Sequence, residues 1–149
     1  MFGLEASEPA KKSLKIFREN NINTIIELGA GLGRDSIYFS INNLSVTSLD
    51  YSQSGINIIN KKINKDKLKN IKTKVFDIRQ KLPFEDNSID GCFSHMLYCM
   101  ALSNQNLFNL NKEICRILKP DGLNIYTVRN EHDGDYKNGI HRGEDMYEN

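Results

Sequence analysis

The run Glu27-Leu28-Gly29-Ala30-Gly31-Leu32-Gly33 gathers the residue types that let a ligand lie against main chain. Glycines can take φ > 0 and leave no Cβ in the way of close approach. A helix starting directly behind them adds unpaired N–H groups. The spacing separates this loop from a dinucleotide fingerprint. The pattern G-x-G-x-x-G needs a third glycine where the chain has Arg34, and the third glycine here is Gly33, so a nicotinamide enzyme is disfavoured. Glu27, two residues before the first glycine, suits a ligand carrying a sulfonium or an ammonium better than a pyrophosphate. It can also simply cap or bridge buried loop amides.

Further acids follow at intervals. Asp50 stands 21 positions beyond Gly29. A carboxylate there can accept both hydroxyls of a ribose, or it can cap the next helix in competition with Ser52 and Ser54. Tyr51 beside it can lie against adenine. Asp77 can accept an exocyclic adenine amine while Ile78 packs on the ring, although Asp77 also reads as a plain loop carboxylate. Ser94 and His95 come next, facing the remaining part of such a ligand. His95 can orient a substrate or act as a general base, or it can be a half-buried residue with a satisfied hydrogen bond. Tyr98 and Cys99 read as wall or core, and no base matches a cysteine nucleophile.

The elements that must hold these residues alternate between strand and helix patterns. Ser7-Glu8-Pro9 opens a helix with Ser as cap and Pro in the first turn; Ala10, Leu14 and Phe17 mark its apolar face, and Asn20-Asn21 end it. Strands are expected at 24–28, 45–49, 72–76, 89–93 and 123–128. Helices are expected over 34–41, around Ile56, Ile59 and Ile63, and around Leu107, Leu110, Ile114, Ile117 and Leu118, the last closed by a Pro120-Asp121-Gly122 turn. This pattern predicts one α/β domain over 1–149 with a Rossmann-like, doubly wound, mostly parallel sheet. Ligands of such sheets sit beyond the carboxyl ends of the strands, where each residue named above falls.

These motifs, in this order, resemble the class I SAM-dependent methyltransferase family. Glycines 29–33 with Ala30 match its glycine loop, Asp50 its ribose acid and Asp77 its adenine acid. Ile89-Asp90-Gly91-Cys92-Phe93-Ser94 looks like its fourth-strand motif, and Glu113 to Gly122 looks like the helix, turn and fifth-strand entry of its small-molecule members. Gly33-Arg34-Asp35-Ser36 further resembles the tellurite-resistance and thiol-type methyltransferase groups. The resemblance implies S-adenosylmethionine (SAM) as cofactor, held by Glu27, the glycine loop, Asp50, Tyr51, Asp77, Ile78 and Ser94. It implies methyl transfer to a small or medium nucleophilic acceptor, with His95 as the candidate for proton removal. The family adds a helix and a β-hairpin after the fifth strand, and the last twenty or so residues carry no strand-like apolar run. The hairpin is therefore expected to be lacking: either the chain is a fragment or truncated form, or a second copy or another partner covers the edge of strand five. The alternative function is a shortened, non-catalytic SAM-binding module acting through a protein partner.

Composition narrows the remaining classes. The 149 residues are 39% apolar and 26% charged, with a formal net charge of +1. No whole-protein field points to nucleic acid, no apolar run reaches spanning length, and a cytoplasmic protein is the default. The lysines at 61, 62, 65, 67, 69, 72 and 74 read as a solvated helix face without the aromatics that stack on bases. The segment Ser94-His95-Met96-Leu97 differs from the Asn/Asp-Pro-Pro-Tyr type of base and glutamine methylases. Three cysteines without metal spacing read as reduced thiols, two of them buried. The stretch from Arg129 to Asp145 is rich in metal-capable groups but lacks a framed ligand spacing, and reads as a substrate-covering loop or a tail.

Overall fold

The computed structural model describes residues 5–100, 102–130 and 132, and the backbone of 140–141 and 147–148. Its elements are α1 (Glu8–Glu19), β1 (Thr24–Leu28), α2 (Arg34–Ile41), β2 (Ser45–Asp50), α3 (Gln53–Asp66), β3 (Ile71–Val75), β4 (Ile89–His95), α4 (Asn104–Ile117), β5 (Leu118–Thr127), β6 (Ile140–His141) and β7 (Tyr147–Glu148). Five strands form one sheet in the order β3-β2-β1-β4-β5. All its pairings are parallel. The chain moves outward from β1 through β2 to β3, then crosses back to β4. The switch point therefore lies between the carboxyl ends of β1 and β4.

Caps explain where the helices begin. The Ser7 hydroxyl accepts the amide of Ala10, and Pro9 lies in the first turn of α1. Ser52 caps α3. Ser103 and Asn106 form a reciprocal capping box at α4. Ala10, Leu14 and Phe17 of α1, Phe39 of α2, and Ile56 and Ile59 of α3 pack on one face of the sheet against Ile25, Val46 and Phe93. Leu110, Ile114 and Ile117 of α4 cover the other face over Ile26, Leu28, Leu49 and Cys92.

Several boundaries differ from the sequence expectation. β3 begins one residue earlier, with Ile71 in the core. β4 runs on to His95, so Ser94 and His95 are strand residues rather than loop residues. The Pro120-Asp121-Gly122 turn is absorbed into β5 as an irregularity: Ile89 pairs with Leu118, the register shifts, and Gly91 pairs with Leu123. Asp121 there takes a left-handed φ of 65°. Cys92 is the single buried cysteine; Cys99 and Cys115 are exposed, Cys115 because it points away from the Ile114 and Ile117 stripe. Beyond the main sheet, 140–141 pair antiparallel with 147–148 in a separate two-stranded ladder. Among the described residues nothing pairs with the outer edge of β5. The metal-capable stretch lies mostly outside the described residues. No helix among the described residues is long and apolar enough to cross a membrane.

Candidate functional site

A cavity of about 210 Å³ opens at the switch point. Glu27, the glycine loop, His95 and Met96 line it from the sheet side. Arg34 and Asp35 of α2 and Lys62 of α3 complete its wall.

The glycine loop is fastened by main-chain bonds before any side chain acts. The amides of Gly29 and Ala30 both donate to the Leu49 carbonyl, at 2.9 and 3.1 Å. The Gly31 amide donates to Asp50 Oδ2 at 2.7 Å. Gly31 and Gly33 sit at φ 55° and 73°, a region that costs a residue with a Cβ roughly 1–2 kcal/mol. A Cβ on Gly33 would lie 2.5 Å from Ile59 Cγ1, whereas one on Gly31 would meet nothing within 4 Å. Gly33 is thus required by packing, and Gly31 leaves open space in front of the main chain.

Glu27 is 3% exposed in the central strand. Ser36 Oγ donates to its Oε2, and Ser48 Oγ donates to Ser36 Oγ at 2.6 Å. Burial pushes the Glu27 carboxyl up to about 8; the Ser36 hydrogen bond opposes the shift and the nearby Asp35 carboxylate adds to it. Asp35 is equally buried, and it is held by the Ser7 amide at 2.7 Å and the Ser7 hydroxyl at 2.8 Å. Arg34 Nε lies 3.2 Å from the same carboxylate. The start of α1 is thereby tied to the cavity wall.

His95 Nδ1 lies 2.7 Å from Thr127 Oγ1. The same oxygen accepts the Met96 amide at 2.9 Å, and Met96 turns the chain at φ 64°. If Thr127 donates to Nδ1, Nε2 carries the proton; if Nδ1–H donates to Thr127, Nε2 is free to accept one. Burial lowers the His95 pKa from its ordinary value, so the ring is neutral near pH 7.

The other anticipated residues stand apart from this cavity. Asp50 is buried at the end of β2, with Oδ1 accepting the Ser52 amide at 2.8 Å. Tyr51 is 79% exposed. Asp77 lies two residues beyond β3, where the Arg79 guanidinium grips both its oxygens and holds its carboxyl below the usual range. Ile78 packs on the α4-side core. Ser94 does not reach the cavity. Strand alternation turns it to the face opposite His95, where its fully buried hydroxyl has no hydrogen-bond partner.

Leu32, Arg34, Asp35, Met96 and Lys62 of the cavity wall were not anticipated as site residues, nor was Gly55 behind the loop. Gly55, inside the first turn of α3, would place a Cβ 2.7 Å from the Gly31 carbonyl. A glycine inside a helix costs roughly 0.5–1 kcal/mol, which was the available signal. Lys62 belongs to the lysine run, yet its Nζ donates to the Leu32 carbonyl at 2.7 Å. Periodicity alone does not separate it from its exposed neighbours.

Solved structures share this architecture. A candidate S-adenosyl-L-methionine-dependent methyltransferase from Methanococcus maripaludis is 27% identical with a TM-score of 0.69, over 80% of this chain and 54% of that one. TehB from Haemophilus influenzae is 24% identical with a TM-score of 0.69, over 78% and 39%. Phosphoethanolamine N-methyltransferase 1 from Haemonchus contortus, solved with phosphoethanolamine and S-adenosylhomocysteine, is 24% identical with a TM-score of 0.62, over 68% and 21%. The chain thus spans about half or less of each of these proteins. No curated protein matches its sequence. Residues 25–122, from β1 through the β5 irregularity, match the model of the methyltransferase domain, and with the glycine loop and the parallel switch point in place the chain belongs to that family.

Proposed function

We propose that the chain carries out SAM-dependent methyl transfer to a small or medium nucleophilic acceptor, leaving S-adenosylhomocysteine. The observation that carries this reading is Glu27, a buried carboxylate without a basic partner, at the mouth of an open glycine loop. Its chemistry calls for a cationic ligand rather than a phosphate. The free space over Gly31 and the buried Asp50 at the end of β2 fit the adenosyl part of the same ligand.

In this reading the main chain of 29–31 bears the ligand, and Asp50 offers the ribose hydroxyls the acceptor sites left over from Gly31 and Ser52. Tyr51, Asp77 and Ile78 flank the adenine, which requires Arg79 to yield or share Asp77. When bound, SAM would supply an electrophilic methyl carbon on a sulfonium, with the neutral thioether of S-adenosylhomocysteine as the leaving group. The chain's remaining task is to align the acceptor with that axis. His95, neutral and held through Thr127, takes the acceptor's proton on Nε2 where one must leave.

Calorimetric titration of the purified chain with SAM, S-adenosylhomocysteine and NADH tests the reading. Micromolar binding of the two adenosyl amino acids and none of NADH is expected. A folded chain that binds neither would overturn it.

A further inference from the structure

We propose that Glu27 is a proton-exchanging counter-ion: it holds a proton in the unliganded site and releases it to solvent when the ammonium of an adenosyl amino acid binds. The proposal rests on the cofactor reading above and adds to it a proton that the ligand displaces.

The geometry makes the case. Ser48 donates to Ser36 and Ser36 donates to Glu27 Oε2, so the hydroxyl pair points one way and supplies only a neutral donor. Among the described residues Oε1 accepts from nothing, and no lysine, arginine or histidine lies within salt-bridge reach of Glu27. The charged and titratable groups around it do not substitute for a partner. From α2, Asp35 adds a second carboxylate; Arg34, whose Nε lies 3.2 Å from Asp35, opposes the shift from a distance without touching Glu27. From β2, Asp50 faces it with another negative charge. From β4, burial holds the Cys92 thiol in its neutral form and lowers the His95 pKa. From α3, Lys62 Nζ donates to the Leu32 carbonyl and makes no ion pair with Glu27. A buried carboxylate among carboxylates, without a cation in contact, is more stable carrying its proton. The upward shift of Glu27 to about 8 agrees with this. An ammonium entering the cavity reverses the preference, because an opposite charge nearby favours the ionised form. The balance is simple: the neutral acid plus the ligand cation become an ion pair plus one proton in solvent.

The test is calorimetry of S-adenosylhomocysteine binding at pH 7 in buffers of different ionisation enthalpy, where the slope of heat against that enthalpy counts protons. A group titrating at about 8 should release about 0.9 of a proton. 5′-Methylthioadenosine, which lacks the ammonium, should bind without release. Affinity for S-adenosylhomocysteine should weaken by about fifty-fold from pH 8 to pH 6 in the wild type and stay flat in Glu27→Gln. Binding without proton release, or release that persists in Glu27→Gln, would overturn the proposal while leaving the cofactor reading intact. Absence of binding by the folded wild type would overturn both. The proton count needs only the wild-type protein.

Discussion

Asp50 Oδ2 accepts the Gly31 amide at 2.7 Å, so the carboxylate that ends β2 fastens the loop that follows β1. Its other oxygen holds the Ser52 amide at the start of α3. One side chain therefore sets the loop and the helix cap on either side of the proposed ribose position. Lone pairs remain on both oxygens for a ligand.

Asp50→Ala should weaken SAM binding at least tenfold, since hydrogen bonds to a charged group are worth about 1.5–3 kcal/mol. Asp50→Asn, which keeps one carbonyl oxygen for one of the two amides, should fall between Ala and wild type. Unchanged affinity of Asp50→Ala in a titration rejects the assigned position.

Gly31→Ala and Gly33→Ala should separate binding from folding. Both place a Cβ at positive φ, but only that of Gly33 runs into Ile59. Thermal unfolding should show the larger loss for Gly33→Ala. Gly31→Ala should cost roughly 1–2 kcal/mol and yet lose most of its SAM affinity, because its methyl occupies the open space beside the cavity. Equal melting losses would contradict this division.

The His95 imidazole should titrate below its ordinary 6.5, because burial disfavours the charged ring. Its signals in an NMR pH series measure this directly, and a midpoint above 6.5 would mean that Asp35 dominates instead. With an acceptor that loses a proton, His95→Gln should lower kcat by roughly 10²-fold and leave the KM for SAM nearly unchanged.

Glu27 also makes stability depend on pH. Its folded pKa, about 8, lies above the ordinary 4.5, so between those values the native state binds more protons than the unfolded chain. Stability is then greatest below the lower value and declines as pH rises toward the upper one. Glu27→Gln should remove that decline and melt higher than wild type at pH 9, by an amount worth roughly a few kcal/mol. Melting curves of both proteins at pH 6 and pH 9 check it, and a wild type that matches the variant at pH 9 would count against a protonated Glu27.

The order of elements was legible because strand runs at Thr24–Leu28 and Ser45–Asp50 stop at glycines or a serine cap, and because Leu110, Ile114 and Ile117 mark one helical face. The glycine loop was legible for the same reason: its residue types have few other uses. Ser94 and His95 could not be told apart from sequence: β4 runs through both, and neighbouring strand residues face opposite sides of the sheet, so only one of the pair lines the cavity. Lys62 was hidden because a lysine run looks uniform until α3 is docked against Leu32. The turn at Asp121 carried correct chemistry, but the neighbouring strand absorbed it as an irregularity.

Ser7 has a consequence beyond capping α1. Its amide and hydroxyl both end on Asp35, a carboxylate in the cavity wall, so the N-cap of α1 carries the electrostatic state of the site. The Ser7 amide resonance is a built-in reporter: a cation arriving beside Asp35 must redistribute the charge that this N–H sees. Occupancy can then be followed from the first turn of α1, without a label and without turnover.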